Sequence, residues 1–163
     1  MIKNPQLQKA EQAVRAKAKD QKGLDRAVNA GLQTMYSPGG AKLFKEQVGK
    51  SGDIANNLAE AAVKLLGHIY QQSRNTMPMN VAVPACTILM FNGMDFLEEA
   101  GRIKVTPDTI AQATKAMGSF LMQLFGVTPE KLAQIKAGQN QGAAPSGGAP
   151  PPAGIVNAAI GGA

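Results

Sequence analysis

Four basic residues, Arg15, Lys19, Lys22 and Arg26, recur at spacings of 4, 3 and 4, which on an α-helix places them along one face. A stripe of cationic side chains at that pitch can follow the phosphates of nucleic acid or of lipid headgroups. These four are therefore candidate contacts to DNA or an anionic membrane. The alternative is the solvated face of a helix packed against a body. No aromatic residue precedes Tyr36, which counts against binding of single strands by base stacking.

Other reactive chemistry is sparse. His68 is the only histidine, has no second ligand at i+4, and reads as a structural or surface residue. Cys86 is the only cysteine, so an intramolecular disulfide and a thiolate metal site are both excluded. Ser73 and Ser119 lack a convincing His/Asp pair. No Gly-rich phosphate loop follows a strand. Asp95, Glu98 and Glu99 are neighbouring carboxylates that read as the solvated end of a helix. With no catalytic constellation, the sequence is read as that of a non-enzymatic protein with neither metal nor cofactor.

The elements that carry these residues are read as helices. Eight Met, no Trp and few aromatics in 163 residues favour helix over sheet. The most apolar stretch is Pro84–Ala100, with no charged side chain between Arg74 and Asp95. Pro84 suits the first turn of a helix and Gly101 a left-handed close, giving a rod of about 25 Å that other helices must surround. Before it, Asp53 is an N-cap for a helix over 53–73, with Ile54, Leu58, Ala62, Leu65, Leu66, Ile69 and Tyr70 on its buried side. Met77-Pro78-Met79, between the two, is either core filler or an adaptable contact surface.

After it, Thr106-Pro107-Asp108 combines a cap, a first-position proline and a first-turn acid, predicting a helix over 107–125 that closes at Gly126. Ile110, Ala113, Met117, Phe120 or Leu121, and Leu124 mark its buried side. The same start recurs at Val127-Thr-Pro-Glu, predicting a fourth bundle helix over 129–137.

The net charge of +6 is unevenly placed. Residues 1–52 hold ten Lys/Arg against four Asp/Glu, residues 53–138 seven against seven, and residues 139–163 none of either. The expected organisation has three parts: a basic helical arm and hinge over 1–52, a helical bundle over 53–138, and a linker with an apolar terminal peptide over 139–163. In the arm a helix begins at Gln6, with its basic stripe continuing across Gly23. Ser37–Gly40 is a break, and a short helix follows over Ala41–Val48. The tail is rich in Gly, Ala and Pro, which points to a flexible linker. Ile155, Val156 and Ile160 then form a candidate docking peptide for a neighbouring subunit.

The N-terminal residues contain no apolar h-region, so they are not read as a secretory signal. No run reaches the roughly 18 apolar residues of a membrane span, the longest candidate being Val81–Phe91 with Pro84 and Thr87 inside it.

The amphipathic arm, the compact Met-rich helical body and the Gly/Pro-rich linker ending in GIVNAAIGGA resemble small helical virion proteins of short-tailed bacteriophages, of the internal, ejection or portal-associated type. That resemblance implies an all-α structural protein, homo-oligomeric, bound to other virion structural proteins, and in contact with DNA or membrane during genome delivery. It implies a virion location after assembly in the host cytoplasm. The competing expectation is a basic helical module that binds nucleic acid or anionic membrane.

Overall fold

Among the described residues, five of the six helices start on a side chain that accepts their free amides. In α1 (Pro5–Lys17) the cap is Asn4, bonded to the amides of Gln6 and Leu7. Asp20 caps α2 (Gln21–Met35) through Gly23 N, and Ser37 caps α3 (Pro38–Val48) through Gly40 N. Asp53 serves α4 (Ile54–Gln72), and Thr106 serves α6 (Pro107–Phe125). Each such cap contributes about 1 kcal/mol. The exception is α5 (Met79–Glu99), which begins after Pro78 without a side-chain cap.

The computed structural model describes residues 2–50, 52–128 and 130, and all secondary structure among them is helical. The protein is all-α. It divides into two units, Met1–Gly126 and Val127–Ala163. Of the second, only Val127, Thr128 and Glu130 are described, and a hydrogen bond from the Thr128 side chain holds the Glu130 carboxyl below its ordinary range. The rest of the expected helix 129–137, and Ile155, Val156 and Ile160, lie outside the described residues.

The central helix is found, with a different start. α5 begins at Met79, and Pro84 lies inside it, where it has no N–H to offer the carbonyl of Asn80. Only one intrahelical bond is forfeited this close to the N-terminus, and the packing of the following turns offsets it. From Ala85 to Asp95 every residue of α5 is buried. Gly101 has φ +65°, and the amides of Gly101 and Arg102 return to the carbonyls of Glu98 and Leu97 at 2.9 Å each. This is the left-handed close expected there. Gly126, at φ +60°, ends α6 in the same region of backbone space.

Helices α1, α2 and α4 cover α5, and α6 packs mainly on α4. The main core joins Leu24 and Val28 of α2, Leu58 and Leu66 of α4, Cys86, Ile88, Met90 and Met94 of α5, and Met117 and Leu121 of α6. A second cluster gathers Met35, Phe44, Leu65, Ile69 and Leu89. Ile54, expected inside, is 40% exposed at the first position of α4. At 21 residues α5 is long and apolar enough to cross a membrane, beyond what the Val81–Phe91 run suggested, but 78% of its most apolar window is buried against its neighbours.

The expected separation of an arm over 1–52 from a bundle starting at 53 is not a structural boundary. Leu7, Leu24, Ala27, Val28, Met35 and Phe44 are buried core residues, and α1 and α2 pack on α5. An amphipathic helix next to an uncovered apolar neighbour lowers its free energy by packing on it, at about 25 cal/mol per Å² removed from water. Ser37–Gly40 is likewise the capped start of α3, with Pro38 at its first position, instead of a break before it. Gly40 is required there because a Cβ would sit 1.9 Å from the Thr34 carbonyl oxygen.

Candidate docking groove

α3 and α6 both lean on α4 and leave an open groove between them. Its floor is α4, with Glu60, Val63, Lys64, Gly67, His68 and Gln71; Leu43 of α3 forms one wall, and Phe120, Gln123 and Leu124 of α6 the other. The cavity is about 840 Å³. The helical periods explain the arrangement. Met117 and Leu121 point into the core, while Phe120 and Leu124, displaced around α6, remain half-buried at the groove wall. Leu43 is 39% exposed one position before the fully buried Phe44. Gly67 keeps the floor low, since a Cβ there would meet Leu124 Cδ1 at 3.3 Å.

The groove's charges are mutually satisfied. Lys64 Nζ lies 2.6 Å from Glu60 Oε1, one turn earlier on α4, and the hydrogen bond from Lys64 holds the Glu60 carboxyl below the ordinary carboxylate range. Lys64 also donates to Gln47 Oε1 at 3.3 Å, as Lys50 does at 2.9 Å, which ties α3 to α4 through a buried amide that sequence reading missed. His68 is exposed and its Nε2 lies 3.1 Å from Gln72 Nε2.

The four basic candidates do not form one stripe. The helix breaks at Ala18–Asp20, short of Gly23, so Arg15 lies in the last turn of α1, Lys19 in the link, and Lys22 and Arg26 on α2. Arg15 is committed within the fold: its guanidinium donates to Glu11 at 2.8 Å and Asp25 at 2.7 Å. Partial burial disfavours its charge, but the hydrogen bonds it donates to Glu11 and Asp25 outweigh this and raise its pKa. Lys19, Lys22 and Arg26 are exposed. Arg26 also lines a smaller groove of about 420 Å³, shared with Met77, Pro78 and Val81. Met77 packs against the core, whereas Met79 is 36% exposed.

The carboxylates at the end of α5, expected to be solvated, clamp the beginning of the chain. Asp95 is only 7% exposed and accepts from the backbone amides of Lys3, at 3.0 and 3.1 Å, and Asn4, at 2.8 Å. Glu98 accepts from Asn4 Nδ2 at 2.7 Å and Val105 N at 2.9 Å. Glu99 pairs with Lys3 Nζ, and that hydrogen bond raises the Lys3 pKa. The burial missed in the sequence follows from Ile2, 3% exposed, which brings the first residues against α5.

Cys86 is buried, which pushes its thiol pKa far up and keeps it protonated. Among the described residues, no group of three or more His, Cys, Asp or Glu is arranged as metal ligands would be. No family model matches the sequence, and comparison with curated proteins and with solved structures gave no significant match.

Proposed function

We propose that this chain is a non-enzymatic structural subunit of a larger assembly, a bacteriophage virion protein of the internal, ejection or head–tail type that its sequence resembles. It joins copies of itself and other virion proteins through apolar contacts. The observation that carries this reading is the α3–α4–α6 groove, an open apolar concavity whose Glu60 and Lys64 neutralise each other. A surface of that kind suits an apolar protein segment better than a charged small molecule.

Light scattering on the full chain tests it. The expected mass is a multiple of 17.0 kDa that grows with concentration and is visible as discrete particles by electron microscopy. A monomer throughout overturns the reading.

The exposed Lys19, Lys22 and Arg26 favour a second reading, contact with DNA or an anionic membrane. Affinity for either should then fall steeply with salt and be lost on changing all three to Gln. Arg15, already held by two carboxylates, should matter little.

A further inference from the structure

We propose that the groove between α3 and α6 seats residues 154–163 of a second copy of this chain. This deepens the assembly reading and rests on it. Three observations converge on that occupant.

The first is chemical. The groove offers Leu43, Val63, Phe120 and Leu124, and its one ion pair is closed on itself. It gains little from a charged ligand. Residues 139–163 contain no Asp, Glu, Lys or Arg, and within them aliphatic side chains of Leu, Ile or Val type occur only at Ile155, Val156 and Ile160. The segment matches the groove in polarity.

The second is size. A cavity of about 840 Å³ lies within the range of roughly 300–1,000 Å³ in which proteins seat compact ligands. A few side chains of a short peptide fit there, as in groove recognition of short segments.

The third is reach. α6, which supplies one wall, ends at Phe125, and 27 residues separate Gly126 from Gly154. Fifteen of them, 139–153, follow the expected helix 129–137 and are rich in Gly, Ala and Pro; at about 5–6 Å × √n a linker of that length would reach about 20 Å. Pro150-Pro151-Pro152 precedes the segment, and proline runs in general act as semi-rigid spacers. A groove and a terminal segment on the same chain give a head-to-tail link, which builds rings or open arrays.

The test uses full-length protein in two populations, Leu43→Cys in one and isotope-labelled Ile160→Cys in the other, joined by a short bismaleimide. Cys86 is buried and stays out of the reaction. Mixed light–heavy cross-links are expected. An excess of synthetic peptide 153–163 should reduce them by at least about tenfold by mass action. Ile155→Asp in the Ile160→Cys population should do the same; it lies outside the Met1–Gly126 unit and leaves that unit's helicity and melting temperature as a control. A cross-link formed only within a copy carrying both substitutions overturns the proposal in favour of self-seating. Oligomers by light scattering without any such cross-link overturn it while leaving the assembly reading in place. Monomers without cross-link overturn both.

Discussion

The carboxylate of Asp95 accepts the backbone N–H of Asn4 at 2.8 Å, across 91 positions of the chain. Asn4 in turn caps α1, so one buried acid fixes both the entry of the chain and the helix that follows. Charge-assisted hydrogen bonds contribute about 1.5–3 kcal/mol, and amides left unpaired cost further. Asp95→Ala is therefore expected to lower unfolding stability in urea by about 2–4 kcal/mol. It should also speed hydrogen exchange in α1 ahead of α4. Asp95→Asn, which keeps one acceptor, should lose less. Glu99→Gln breaks only an exposed pair with Lys3 and should change stability by less than about 1 kcal/mol. Unchanged α1 protection in Asp95→Ala would show that the clamp does not hold the helix.

The features legible in the sequence are those set by neighbouring residues. Thr106-Pro107-Asp108 and Gly126 bound α6 because capping is decided within one turn, and Asp53 starts α4 for the same reason. The burial of Leu89 and Phe91 followed from an uncharged run. The start of α5 was not legible, because Pro84 reads equally as a first-turn residue, and only tertiary packing tells a helix interior apart. The buried state of Asp95 was hidden because its partners are Lys3 and Asn4. An amphipathic arm carries no mark of which element covers its apolar side, so packing against the body was one of two expectations for it, while α5 as the surface on which α1 and α2 dock was not legible. The groove could not be read at all, since its second wall, α6, is distant in sequence from the consecutive α3 and α4.

Two glycines in helices should respond differently to alanine. A Cβ on Gly93 of α5 would lie 2.6 Å from Cε1 of Phe44, a fully buried ring of α3. Gly118 of α6 has nothing within 4 Å of that position. Alanine brings about 1 kcal/mol of helix propensity in either case. At Gly93 overpacking costs typically about 1–3 kcal/mol and exceeds or cancels that gain. Gly118→Ala is expected to raise the melting temperature and Gly93→Ala to lower it or leave it unchanged. Adding Phe44→Leu to Gly93→Ala should show coupling in a double-mutant cycle. A Gly93→Ala protein more stable than Gly118→Ala would mean that the α3–α5 approach is looser than its geometry implies.

Tyr36 provides a pH test of the corner where α2 ends beside α5. Its ring meets Phe96 edge-on, with centroids 6.2 Å apart. Tyr36 is 54% exposed; its partial burial raises the phenol pKa first, and the carboxylates of Asp95 and Glu99 raise it further. A group whose folded pKa is raised binds its proton more tightly in the folded state. Its stabilising contribution is complete below the ordinary tyrosine value of about 10 and is lost as pH rises through the folded value. In a Tyr70→Phe protein only Tyr36 titrates as a phenol. Near-ultraviolet phenolate absorbance should place its midpoint above the ordinary value in the native protein and return it to that value in denaturant. Glu99→Gln should move the native midpoint part of the way down, because burial, the larger cause, remains. A native midpoint at or below that of the denatured chain would be incompatible with Tyr36 standing beside these two carboxylates.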